Sequence, residues 1–223
     1  MNVTYIHHSC FLVETDRFYY LFDYAEGQLP AMDATKPVFV LASHGHADHY
    51  HPDVFPLLKE LGMEQIRAVL SEDIAPPAGI NALRVFPGEK YDLGDQQTLT
   101  AFRSTDLGVA FLIEDRQTLI YHAGDLNDWV WDEESDAYNQ EMTENYRRQI
   151  DLLSETLDHR GIDAAFVVLD PRQEKDYDRG MLYFLEKISA NRIFPMHYWG
   201  NLSIMDTFLR EHPEYGSRIQ RTE

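Results

Sequence analysis

The strongest chemical signal in the sequence sits in one short segment, where His44, His46, Asp48 and His49 spell His-x-His-x-Asp-His. In an extended segment alternate side chains point the same way, so His44 and His46 can converge on one ion. Asp48 and His49 then face a neighbouring position, where they can serve a second ion or orient a water. Mixed imidazole and carboxylate donors suit zinc, iron or manganese, whereas calcium and magnesium prefer all-oxygen shells. One loop cannot enclose a metal, so further ligands must come from elsewhere. Asp125, in Tyr121-His122-Ala123-Gly124-Asp125, and His197, in Phe194-Pro195-Met196-His197-Tyr198, each follow an apolar strand-like run. The small Ala123-Gly124 pair permits close approach, so Asp125 could bridge two metals. Alone, these two would read as a turn aspartate and a hydrogen-bonded core histidine. Beside the loop, the ligand reading prevails.

These donors need a scaffold, and the chain is long enough to build one. It has 223 residues with 38 acidic and 19 basic side chains, a formal charge of −19, and its 44% hydrophobic content rules out a disordered acidic tail. We expect one domain over residues 1–223. Cys10, the lone cysteine, can form no internal disulfide, which fits a reducing, cytoplasmic setting. The opening MNVTYIHHSCFLVE lacks the basic and apolar regions of a signal peptide, and the longest wholly apolar run, Ala164 to Leu169, is far too short to span a membrane. The negative charge disfavours nucleic acid and anionic lipid, leaving a small-molecule substrate as the expected partner.

The periodicities place the donors on elements. Asn2–Ile6, Cys10–Thr15 and Phe18–Tyr24 read as an antiparallel meander, and Val38–Ala42 as a buried strand that delivers the histidine loop. Pro52 marks a helix start, with Val54, Phe55, Leu57, Leu58 and Leu61 as its apolar face and Gly62 as its stop. From Ile66 to Tyr121 short β-prone runs alternate with turns, which predicts a second antiparallel set. Met142, Tyr146, Ile150, Leu153 and Leu157 form one stripe of a long helix over Tyr138–His159. A strand at Ala164–Leu169, a helix over Met181–Ala190, a strand at Arg192–Met196 and a helix over Ser203–Glu211 complete a βαβα half, with Asp132–Asp136 as an exposed loop. The expected class is α/β, with sheets packed face to face and helices outside.

At this point the sequence resembles the metallo-β-lactamase superfamily, and within it the stand-alone metal-dependent hydrolases that include ascorbate-phosphate lactonase-like proteins. The likeness runs over about residues 1 to 200. Tyr5-Ile6-His7-His8-Ser9 resembles the opening strand and turn, and Leu21-Phe22-Asp23 the strand with a supporting aspartate. Ser43 to His49 resembles the metal-binding loop, His122 to Asp125 the bridging-aspartate motif, and Pro195 to Tyr198 the last histidine motif. The resemblance implies a four-layer αββα sandwich with His44 and His46 at a first metal position, Asp48, His49 and His197 at a second, and Asp125 between them. His8 and Asp23 would line or brace the site, while His7 and His51 are bystanders. One departure stands out: the family's third histidine for the first position is missing from Ala101-Phe102-Arg103-Ser104-Thr105-Asp106-Leu107-Gly108. Asp106 could coordinate in its place, or His122 could swing in, although a supporting role suits His122 better. Alternatively the Arg103 guanidinium supplies the positive charge and grips an anionic substrate.

The activity this implies is hydrolysis of an ester, lactone or phosphoester by a metal-bound hydroxide, with one or two zinc ions, or manganese or iron, and with Asp48 orienting the water and taking its proton. Two other readings compete: a mononuclear iron oxidoreductase on the same scaffold, and a non-catalytic metal-binding module. Trp129 and Trp131 either pack the long helix against the sheet or, with Tyr198 and Trp199, wall the metal centre. Asp170, at the end of the Ala164–Leu169 strand, either reaches the pocket or caps the following turn.

Overall fold

The β-prone runs at the start of the chain pair in order. In the computed structural model, which describes residues 1–221, β1 (Asn2–His7), β2 (Cys10–Glu14) and β3 (Tyr19–Phe22) are antiparallel neighbours. β4 (Val38–Ala42), β5 (Ile66–Ser71) and β6 (Ala82–Val85) continue the same six-stranded sheet in parallel. This corrects the first part, Ile66 to Val85, of the expected antiparallel set from Ile66 to Tyr121. Helix α1 (Val54–Glu60) carries the chain from the end of β4 back to the start of β5, and such a crossover makes the two strands parallel. These elements form one compact unit, Met1–Phe86. Val54, Phe55 and Leu58 of α1 join Leu12, Leu21, Val40 and Leu70 of one sheet face in a common core. Leu61, expected on that face, is exposed, because α1 ends at Glu60 and the chain turns through Gly62 at φ 83°.

A second compact unit begins at Pro87. β7 (Lys90–Gly94), β8 (Gln97–Arg103), β9 (Val109–Asp115) and β10 (Thr118–His122) are antiparallel, as their alternation predicts. After helix α2 (Asp136–Leu157), β11 (Ala164–Val168) adds parallel to β10, and β12 (Ile193–Met196) parallel to β11. Helix α3 (Arg179–Lys187) makes the crossover between those two strands, and α4 (Ser203–Glu211) follows β12. The Oγ of Ser135 caps Tyr138 N, which starts α2 earlier than the apolar stripe does, and Asp158 ends it in the left-handed region at φ 46°. Tyr146, Ile150, Leu153 and Leu157 are buried along α2, and the Tyr146 hydroxyl donates to Gly180 O of α3 at 2.6 Å. The expectation of a single domain over 1–223 reaches two residues, 222 and 223, that lie outside the described ones. Among the described residues no helix is long and apolar enough to cross a membrane.

Each unit thus ends several parallel strands side by side. β4 runs into the histidine loop, and β10, β11 and β12 run into Asp125, Asp170 and His197. Polar residues just past the carboxyl ends of parallel strands are where open α/β sheets place ligand chemistry.

Candidate metal centre

In the first unit, Asp23 organises the histidine loop. It sits past β3 at φ 45°, fully buried, and its carboxylate accepts from Ser43 N (2.7 Å) and Ser43 Oγ (2.6 Å) and lies 2.8 Å from His49 Nδ1. These contacts assign the histidine protons. The Ser43 hydroxyl proton goes to Asp23, so Ser43 Oγ, 3.0 Å from His44 Nδ1, accepts from that ring. His49 Nδ1 likewise donates to Asp23. Both rings therefore present the Nε2 lone pair, the protonation state a metal-ligating histidine needs.

Residues 47–49 form a turn, closed by His49 N donating to His46 O at 3.0 Å, so Asp48 and His49 leave the extended path that carries His44 and His46. The rings of His44 and His46 lie 4.5 Å apart, and those of His44 and His49 4.2 Å apart. His8, Asp48 and His49 each offer a donor atom within 4.8 Å of the others, and His44 does the same with His49. His8 Nε2 is 3.6 Å from the Asp48 carboxylate. His7 faces the exposed Glu26 at 2.9 Å and His51 faces Asp53 at 3.5 Å, both apart from this cluster.

In the second unit, Asp125 Oδ1 lies 3.3 Å from His197 Nε2. His197 is 2% exposed and adopts φ 67°, a strained conformation for a residue with a side chain. Its Nδ1 donates to Asp170 at 2.8 Å, so Nε2 again carries the lone pair and meets a carboxylate oxygen. Two such acceptors facing each other need a proton or a cation between them, and this donor chemistry fits a divalent metal.

Asp170 also accepts from Arg172 N (2.9 Å) and from the Arg172 guanidinium. Burial pushes its carboxyl upward, but the hydrogen bonds from His197 and Arg172 outweigh it and hold the pKa at about 2. Of the two roles that the sequence leaves open for Asp170, the structure shows the cap on the following turn, and it adds a hydrogen bond to His197. The only sequence signal for the contact with His197 is that both residues follow neighbouring strands.

Trp129 packs edge-on to His197 with ring centres 5.6 Å apart, Trp131 stacks on Trp129 at 5.9 Å, and Trp199 meets His197 at 5.5 Å. The tryptophans therefore gather at this histidine, while Asn139 of α2 hydrogen-bonds the Trp131 backbone. His122 accepts from Gly124 N at Nδ1 (3.1 Å), which in the neutral ring puts its proton on Nε2 and leaves no lone pair for a metal. It supports the Ala123-Gly124 turn. Arg103 is exposed at the end of β8, its backbone N–H donating to Gln149. Asp106 offers a carboxylate oxygen within 4.8 Å of one from Asp125.

Comparison with known proteins gives the family and the fold. A model of the beta-lactamase superfamily domain matches residues 2–140. A UPF0173 metal-dependent hydrolase of Methylacidiphilum infernorum is 28% identical over 141 residues, 56% of this chain. That alignment spans 62% of the relative's length, less than two thirds of it. Among solved structures, CmlA, a diiron β-hydroxylase from Streptomyces venezuelae, matches 99% of this chain and 52% of its own with a TM-score of 0.63 at 12% identity. The metallo-β-lactamase fold protein YhfI from Bacillus subtilis matches 96% of this chain and 90% of its own with a TM-score of 0.61 at 15% identity. The chain has the metallo-β-lactamase α/β fold and belongs to the beta-lactamase superfamily.

Proposed function

We propose that the chain is a metal-dependent hydrolase of a small molecule that carries an ester, lactone or phosphoester bond. The observation that carries this reading is the protonation pattern: His44, His49 and His197 each have Nδ1 held by an acceptor, which puts the lone pair on Nε2, the tautomer a metal-ligating histidine needs. On the superfamily pattern His44 and His46 would hold a first metal, Asp48, His49 and His197 a second, with Asp125 available to both. Zinc is the proposed metal, with manganese or iron as the alternatives. When bound, such a cation makes hydroxide available near neutral pH and polarises the oxygen of the bond under attack.

The chain's own groups then do the rest. Asp48, half-exposed and 3.6 Å from His8, takes the proton of the attacking water at its carboxylate. Asp23 and Asp170 fix the ligand rings so that little reorganisation is needed when substrate arrives. The Cys10 thiol is buried and pushed well above its usual pKa, so it takes no part, and its reduced form fits a cytoplasmic enzyme. The test is hydrolysis of nitrophenyl esters, lactones and phosphodiesters by metal-reloaded protein and by Asp48→Ala. Loss of turnover with an unchanged circular dichroism spectrum is the expected result. Full activity in Asp48→Ala overturns the assignment.

A further inference from the structure

The loop between β8 and β9 lacks the histidine that the superfamily pattern calls for, and the second unit alone indicates what replaces it. Ser104 N donates to Gly108 O at 3.1 Å, closing the loop, and Gly108 supplies the left-handed turn at φ 72°. Thr105 Oγ1 donates to Asn127 O (2.6 Å) and accepts from Asn127 N (3.0 Å). Both bonds hold the hydroxyl against the Asn127 backbone, so Thr105 fastens this loop to the one that carries Asp125. The next residue, Asp106, has its backbone N–H on Ser104 Oγ at 3.2 Å and its carboxylate within 4.8 Å of that of Asp125. Two carboxylates this close repel when both are ionised, and a cation between them removes the cost. The neighbouring candidates do not compete: Arg103 is exposed and its guanidinium offers only donors, and His122 has its Nδ1 occupied.

We propose that Asp106 is a metal ligand in the place of the missing histidine, and that the exchange shifts the preference of this position away from zinc and toward manganese or iron. Exchanging an imidazole for a carboxylate hardens the donor set, which is the direction of that preference. The proposal rests on the reading of the chain as a metal-dependent hydrolase. Thr105 is a positioning residue in it, since it sets the Asp106 loop against Asp125.

The experiment uses the full chain, stripped with EDTA, reloaded with Mn²⁺ or Zn²⁺ and analysed for bound metal by elemental analysis and competition with a chelator. Wild type is compared with Asp106→Asn, Asp106→His and His197→Ala, with circular dichroism as the check on folding. The expected result is two ions in wild type, one lost in Asp106→Asn and the other lost in His197→Ala. Asp106→His should keep both and shift the Zn²⁺ to Mn²⁺ affinity ratio toward zinc by at least about tenfold. A single wild-type ion that disappears in His197→Ala and is untouched by Asp106→Asn overturns the role of Asp106 and leaves the hydrolase reading standing. A folded wild type that binds no metal overturns both.

Discussion

Asp170 Oδ2 lies 2.8 Å from His197 Nδ1, and the same carboxylate grips Arg172, so one buried acid sets both the protonation and the orientation of the histidine. Asp170→Asn keeps the shape but can present an amide N–H to Nδ1, which turns the ring to the tautomer with its proton on Nε2. The expected outcome is metal affinity at His197 weakened by about 10–100-fold with the fold retained. Chelator competition on wild type and variant measures it, and equal affinities would remove Asp170 from the site.

The same carboxylate carries an acid signature. Its pKa falls from 3.8 in the unfolded chain to about 2 in the folded one. A lowered folded value means the native state binds protons less readily than the unfolded state. The stabilisation is therefore fully present above the unfolded pKa and is lost as pH falls from 3.8 through about 2. In urea melts of metal-stripped protein, the pH dependence of stability across this window should be shallower in Asp170→Asn than in wild type. Parallel curves would contradict the assignment.

All three tryptophans of the chain meet at one place. Trp129 and Trp199 each sit within 5.6 Å of His197, ring centre to ring centre, and Trp131 stacks on Trp129. Tryptophan emission, excited selectively at the red edge where tyrosine does not absorb, therefore reports on this histidine. Adding metal to stripped protein should change the tryptophan emission, and the change should vanish in His197→Ala. An unaltered response in that variant would place the ion away from His197.

What was legible in the sequence follows the range of each interaction. The strand Val38–Ala42 and its His-x-His-x-Asp-His loop could be read because an apolar run that stops abruptly at polar residues is a local pattern. The direction of β5 could not, since pairing depends on the α1 crossover and not on alternation within Ile66–Ser71. Asp170 has the same difficulty: its contact with His197 exists because β11 and β12 are neighbours, a fact of topology. Asp106 could be named from the missing histidine, but choosing it over Arg103 and His122 required the hydrogen bonds of Thr105 and of His122 Nδ1.

Helix α3 approaches the Asp125 loop so closely that only glycine fits at position 180. A Cβ there would overlap Asn127 Oδ1 and come within 3.1 Å of Asn127 Cγ and 3.2 Å of Asp128 N. Asn127 has little room to retreat, because its Nδ2 donates to Gln173 Oε1 (2.7 Å) while Gln173 Nε2 donates to Asp128 O (2.8 Å). Helix propensity alone would make Gly180→Ala stabilising by about 1 kcal/mol. Overpacking a buried contact of this kind costs about 1–3 kcal/mol, and the broken amide pair adds to it. The overlap should win, so Gly180→Ala lowers the melting temperature and, by moving Asn127, disturbs the loop that carries Asp125. Gly161→Ala is the matched control, since its Cβ would meet nothing closer than Ser189 Oγ at 3.5 Å. Thermal melts of the two variants decide the matter, and equal melting temperatures would show that the α3 contact yields more readily than its packing indicates.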